Sequence, residues 1–225
     1  MDELFSNTFK TIQSAFAIEP IILPPELKET KFPMRLLEIQ CYNWKAAKIR
    51  KIYAMRMKVK MPFLDIMGMA IYPEPDFDLP IFCFDLSCAK KKVVTYINVI
   101  PLLDNDAYQK KYLDPFILVR GKYDIFPPHK MPEWMLQYRA DHTIYSMPDR
   151  GIVDEIKACA LDYLAVYLEL INKVQRIEDD TYRAQIADAQ KTYIKNLLTK
   201  DASQKMLAKL IGKQKTSRIF NEVLV

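Results

Sequence analysis

Five short runs of strand character crowd into residues 34–100, and their spacing limits the fold more than any other feature of the chain. Met34–Tyr42, Lys51–Val59, Phe63–Tyr72, Ile81–Cys88 and Lys92–Ile100 are rich in β-branched and aromatic residues and often alternate, with turn-like breaks between them. Parallel strands need a crossover of a dozen or more residues, so these runs predict an antiparallel meander. The period then changes. Asp149–Gln175 places Ile152, Val153, Ile156, Leu164, Leu168, Ile171 and Val174 along one helical stripe. Helical patterns follow over Thr181–Thr199 and Ala202–Ile211, with a last turn over Arg218–Val225, and a short amphipathic helix over Asp2–Phe16 opens the chain. Ile18–Pro33 reads as an extended connection. Strands followed by helices predict an α+β domain with helices packed on the sheet. No repeat or low-complexity tract divides the 225 residues, so one domain over 1–225 is expected.

Composition removes several classes of function. Only 4 glycines occur, with no G-x-G-x-x-G and no phosphate-loop motif, which argues against a dinucleotide or nucleotide fold. The four cysteines, Cys41, Cys83, Cys88 and Cys159, form no C-x-x-C pair, and only His129 and His142 could assist them. A zinc or iron–sulfur site is therefore not expected. The first ten residues already hold Asp2, Glu3 and Lys10, and no long apolar span follows. A cytoplasmic protein with reduced thiols and no membrane association is the expectation. No heptad pattern or obvious apolar stripe points to a dimer, so a monomer is expected.

Charge is unevenly spread. The net charge is +5, but residues 190–225 alone carry +6, from eight Lys/Arg against Asp201 and Glu222. A second basic run holds Lys45, Lys48, Arg50, Lys51, Arg56, Lys58 and Lys60 without an acid. Both runs read either as solvated surface or as a docking surface for an acidic partner. Nucleic acid is disfavoured, because no reader motif accompanies the charge.

Against this background one carboxylate stands out. Asp85 lies in Ile81-Phe-Cys-Phe-Asp85-Leu, where Ile81, Cys83 and Asp85 share one face of an extended chain. An acid among apolar neighbours either finds hydrogen-bond partners or is held protonated near neutral pH, where it can donate a proton. Asp201 precedes an apolar-periodic helix in Asp201-Ala-Ser-Gln204, the pattern of an N-cap with a reciprocal Gln; it reads as a cap that could also point into a cavity. Arg56 alternates with Ala54 and Lys58, opposite Tyr53, Met55, Met57 and Val59. It reads as a solvated face residue, or as a carboxylate ligand if its face borders a pocket. His142 is a candidate acid–base group or a loop residue without function.

Together, Phe63-Leu-Asp65, Tyr72-Pro-Glu-Pro75, Leu79-Pro-Ile-Phe82 and Asp85-Leu, with the closing Lys200-Asp201 and Ile219-Phe220-Asn-Glu-Val-Leu224, resemble the ferredoxin-dependent bilin reductases. The resemblance runs over most of the chain. It departs at Cys83, where the family usually has Gly, at Ala202, where Pro is common, and at the terminal Phe-Asp, which is lost. It implies a three-layer α/β/α sandwich around a central antiparallel sheet, with an open-chain tetrapyrrole bound between the sheet and the C-terminal helices. It also implies no metal or flavin: reduced ferredoxin supplies single electrons and the protein supplies protons. Asp85 and Asp201 fall on the family's two acids and are the expected catalytic residues. Arg56, Ile66, Gly68, Ala70 and Cys83 are the expected substrate-binding positions. Phycocyanobilin-forming members carry a Glu where this chain is read to have Arg56 and a His where it has Gly68, groups associated with reduction of the exocyclic vinyl. Two acids without them resemble the phycoerythrobilin-forming pattern. The expectation is reduction of biliverdin IXα to phycoerythrobilin through 15,16-dihydrobiliverdin; a phycocyanobilin-forming or two-electron reductase, or a non-catalytic bilin-binding protein, are the alternatives.

Overall fold

A computed structural model describes residues 1–32, 37–61 and 63–225 of the chain. The opening helix, α1 (Asp2–Ala15), begins with Asp2 and Glu3 at its positive end and buries Leu4, Thr8 and Ile12, one residue per turn. β1 (Ile18–Ile21), a single turn α2 (Pro25–Lys28) and β2 (Glu29–Phe32) follow. Then come the long strands β3 (Leu37–Ala46), β4 (Ile49–Val59), β5 (Leu64–Pro73), β6 (Ile81–Ala89) and β7 (Val93–Ile100). Each pairs antiparallel with the next, as the meander predicts, and β8 (Ile144–Ser146) closes the far edge against β7. At the other edge β3 is shared, with β2 along its first half and β1 along its second. The first expected strand thus runs on to Ala46, and its start at 34–36 lies outside the described residues.

β1 and β2 correct the reading of 18–33 as a connection, and β8 is a strand that the alternation does not predict. They have three or four residues each and take their form from β3 and β7, beyond the reach of local pattern. The stretch between β7 and β8 also holds α3 (Asp106–Tyr112), capped by the Asn105 side chain accepting from Tyr108 N at 2.9 Å, and α4 (Asp114–Arg120). After β8 run α5 (Val153–Lys173), α6 (Asp180–Lys200), α7 (Ser203–Ile211) and α8 (Lys213–Arg218), and the last residues, Ile219–Leu224, wind as a wide π turn. Gly212 sits at φ +89°, a conformation favoured by glycine, and lets the chain reverse between α7 and α8.

The helices lie on both faces of the sheet, giving an α+β, three-layer α/β/α sandwich. On one face α5 buries Ile156, Tyr163, Leu164, Tyr167 and Ile171. Tyr167 stacks on Phe82 with ring centres 5.2 Å apart, and its hydroxyl donates to Pro80 O at 2.6 Å. Burying side chains of this size is worth roughly 1.5–3 kcal/mol each. Lys48, at the β3–β4 turn, donates to the carbonyls of Ile171 and Val174 at 3.0 Å and so caps the end of α5. On the opposite face Leu207, Ile211, Ile219, Phe220 and Val223 pack on Leu37, Ile39, Cys41, Met57, Val59 and Ile66. Asn43 Nδ2 donates to Val223 O at 3.1 Å, and Lys51 Nζ donates to Glu222 O at 3.2 Å and to Val225 O, fastening the final turn to the sheet.

Candidate active site

Beside that second packing cluster the helices stand away from the sheet. They leave a cavity of about 350 Å3 under the end of α6, the α6–α7 loop, the final turn and the 3-10 turn Glu133–Tyr138. Its floor is set by strand register. Met55, Gly68, Asp85, Tyr96 and Tyr145 form one row across β4 to β8, flanked by a row of Tyr53, Ala70, Cys83 and Asn98 and another of Met57, Ile66, Ser87 and Val94. Because side chains alternate along a strand, all three rows point the same way.

Asp85 lies near the middle of this floor, half-buried. Ser87 Oγ donates to its Oδ1 at 3.0 Å, and a Cβ added at Gly68 would come within 3.2 Å of its Oδ2. Burial pushes the Asp85 carboxyl up to about 6; the Ser87 bond opposes that rise and the negative charge of Asp201 adds to it. An acid in this range exchanges its proton close to neutral pH, the condition for general acid catalysis.

Asp201 comes from the loop between α6 and α7, and burial raises its carboxyl as well, against hydrogen bonds from Ser203. Its Oδ1 accepts from Ser203 N at 2.8 Å, so the cap-like role holds in part. The reciprocal half does not form. Gln204 Nε2 turns back to Leu197 O and Leu198 O, at 3.3 and 2.6 Å, in the last turn of α6.

The rest of the lining is aromatic and sulfur-bearing. Burial drives the hydroxyls of Tyr53, Tyr96 and Tyr193 well above their usual range, so they stay protonated; Tyr96 accepts from Asn98 Nδ2 at 3.1 Å. Cys83 is pushed up to about 12 by burial and is a neutral thiol in the wall. Met55, Met57, Met135 and Met206 supply adaptable apolar surface and Trp134 a flat one, which suits an extended conjugated ligand. Among the described residues, no group of three or more His, Cys, Asp and Glu is placed to hold a metal ion.

Asp85, Asp201, Ile66, Gly68, Ala70 and Cys83 are therefore gathered around one space. Arg56 is not. It points to the opposite face, beneath α1, where it pairs with Asp2 and lies 3.8 Å from Asp65, over the Phe5 ring. Its expected substrate contact is corrected accordingly: alternation placed Arg56 on the face away from Met55, and Met55 is the β4 residue registered against Gly68. What the resemblance implies for a β4 neighbour of Gly68 thus falls on Met55.

The second basic run is corrected too. Lys45 pairs with Glu19, Lys48 caps α5, Arg50 stacks on Tyr72, Lys51 holds the final turn, and Arg56 and Lys58 pair with Asp2. Most of that charge is satisfied inside the molecule. In the C-terminal region Lys191 pairs with Asp188 and Arg218 with Glu26 and Glu222, but Lys195, Lys200, Lys205 and Lys213 are exposed. Lys200 reaches the cavity rim. His142 is buried in the α5-side core with Nε2 on Val99 O at 3.0 Å, and lies away from the cavity.

The tyrosines, Ser87 and Trp134 went unflagged in the sequence. Parity from Asp85 along β6 would have found Ser87; the others come from separate elements that only the fold brings together. No helix among the described residues is long and apolar enough to cross a membrane.

Comparison with known proteins finds relatives over most of the chain. The family model described as ferredoxin-dependent bilin reductase matches residues 5–225. A protein of Nostoc punctiforme named 15,16-dihydrobiliverdin:ferredoxin oxidoreductase is 23% identical over 227 residues, covering 96% of this chain and 90% of its own. The phycoerythrobilin:ferredoxin oxidoreductase of the same organism is 25% identical over 194 residues, covering 81% and 73%. The crystal structure of tomato phytochromobilin synthase in complex with biliverdin superposes with a TM-score of 0.90 at 21% identity, over 98% of this chain and 81% of that one, which shows a shared fold.

Proposed function

The chain belongs to the ferredoxin-dependent bilin reductase family, and from that premise we propose that it reduces biliverdin IXα to phycoerythrobilin through 15,16-dihydrobiliverdin. Four electrons arrive singly from reduced ferredoxin and four protons accompany them, two for each two-electron step, through bilin radicals. The observation that carries this reading is a carboxyl held near a pKa of about 6 on the floor of a cavity walled by neutral tyrosines and methionines. Asp85 protonates the bilin in the first step. Asp201, carried on the helical cover, serves the A-ring step. Ile66, Ala70 and Cys83 form the surface on which the tetrapyrrole lies, and Gly68 leaves room for it beside the acid.

Acidic ferredoxin docks on the exposed Lys195, Lys200, Lys205 and Lys213, of which Lys200 reaches the rim. The KM for ferredoxin should rise with added salt, and more weakly in a Lys200→Glu variant.

An anaerobic mixture of protein, biliverdin and reduced ferredoxin tests the proposal through loss of biliverdin absorbance and chromatography of the product. An unchanged biliverdin band refutes the enzyme reading, and a product co-eluting with phycocyanobilin refutes the product. Asp201→Asn should accumulate 15,16-dihydrobiliverdin, whereas Asp85→Asn should leave most biliverdin unreduced; the opposite pattern would exchange the two roles. A second reading, a two-electron enzyme that stops at 15,16-dihydrobiliverdin, draws support from relatives of similar identity that are named for the two bilins separately. It predicts 15,16-dihydrobiliverdin as the end product of the unaltered protein.

A further inference from the structure

We infer that Ser87 is a positioning residue that keeps the transferable proton of Asp85 on Oδ2, the carboxyl oxygen beside Gly68. The inference rests on the reading of Asp85 as the proton donor, and deepens it. Ser87 and Asp85 are two residues apart on β6, so both side chains stand on the cavity floor. The two carboxyl oxygens have different surroundings. Oδ1 accepts the Ser87 hydroxyl at 3.0 Å. Oδ2 accepts no hydrogen bond among the described residues and faces the bare backbone of Gly68, where even a Cβ would approach to 3.2 Å.

A hydroxyl donating to Oδ1 stabilises the ionised form and, in the neutral acid, favours Oδ1 as the carbonyl oxygen, because a carbonyl oxygen accepts a hydrogen bond better than a protonated one. The proton of the neutral acid then resides on Oδ2, the oxygen with free space beside it. Position and acidity come from the same bond. After the proton leaves, the Ser87 bond remains on the carboxylate, and the acid is reloaded from solvent without changing its orientation.

Other groups facing Asp85 enter the titration differently. Tyr53 on β4, Cys83 on β6, Tyr96 on β7 and Tyr193 on α6 are held neutral by burial, and Tyr145 on β8 is raised as well. Asp201 in the α6–α7 loop is a second acid raised by burial, and Lys200 at the end of α6 reaches the rim. β5 contributes only Gly68 to this row.

Carboxyl 13C resonances of the bilin-free protein, followed from about pH 4 to 8, test the inference without any substrate. Removing a hydroxyl that donates to a carboxylate should raise the Asp85 midpoint by about one pH unit in Ser87→Ala. Ser87→Thr keeps the hydroxyl and should keep the midpoint. An unshifted midpoint in Ser87→Ala, or the same shift in both variants, overturns the assignment. Asp201→Asn should lower the midpoint in either case and identifies the resonance.

In turnover, the acid limb of the kcat profile should move with the midpoint in Ser87→Ala. Gly68→Ala crowds Oδ2 while sparing the Ser87 bond, and should lower kcat about tenfold. If the unaltered protein reduces biliverdin but neither effect appears, proton placement is wrong and the reductase reading stands. If it reduces no biliverdin, that reading fails and the 13C titration still judges Ser87.

Discussion

The two faces of the sheet bury titratable groups to different ends. On the α5 side, burial lowers His142 to about 4, and its imidazole is locked between Val99 O and the Phe116 ring, 5.8 Å away centre to centre. On the cavity side, burial raises Asp85 to about 6, but the residue is only half-buried and lines the cavity. Desolvation disfavours charge in both cases. Only the second arrangement offers a ligand access to the proton. His142 also borders a cavity, beside Leu102, Gln109 and Tyr138, but is itself fully buried, so the partial exposure of Asp85 rather than its displaced pKa marks the site.

The sharpest way to break this contrast is to remove the acid. Asp85→Asn should lower the rate of biliverdin loss by about 10²–10⁴-fold, the range for general acid catalysis, with an unchanged circular dichroism spectrum. A variant that keeps its rate would put the chemistry elsewhere in the cavity.

Truncation of the two faces should differ next. Phe82→Ala opens a hole in the closed face under Tyr167 and should cost about 3–5 kcal/mol in denaturant unfolding, with the cavity left in place. Met55→Ala on the cavity side already borders empty space and should cost less than about 1.5 kcal/mol, while altering the spectrum of bound biliverdin. Equal costs would mean that the cavity face is packed as tightly as the other.

The smallest effect is a pH slope of opposite sign on each face. The folded pKa of Asp85 lies above the ordinary 3.8, so the native state binds more protons there, and the stability this brings is full below about pH 4 and lost as pH rises through about 6. Asp85→Asn should therefore be the more stable protein at pH 7, by about 1–2 kcal/mol after allowance for its partial exposure, and gain nothing below about pH 4. His142 runs the other way: its folded pKa lies below 6.5, so its contribution is present above that value and lost as pH falls toward about 4. Thermal melts across this range would show both, and a pH-independent gain in Asp85→Asn would deny Asp85 its raised pKa.

Much of this contrast was legible in the residues, by physics that acts locally. The meander from β3 to β7 announced itself through alternation over eight to eleven residues per strand, and Asp85 through its apolar neighbours. Parity sorted Arg56 from Met55 correctly but could not say which face would be hollow, since that depends on where α7 and the final turn dock. Nor could it show that the charges of Lys48, Lys51 and Lys58 are spent on α5, the final turn and Asp2. The tyrosine walls were invisible for a related reason. Tyr53, Tyr96, Tyr145 and Tyr193 are separated by dozens of residues and meet only through register and helix placement.

The two walls of the cavity are also made at different times. A ribosome completes the strands carrying Met55, Gly68, Asp85 and Tyr96 long before it reaches Asp201, Leu207 and Phe220, which cover them. Until residues 201–224 emerge, the apolar floor lacks this cover and the desolvation that raises Asp85 is incomplete. The acid strength of Asp85 is thus acquired only once residues 201–224 cover the floor, and a chain that stops short of them presents the floor of the site without its chemistry.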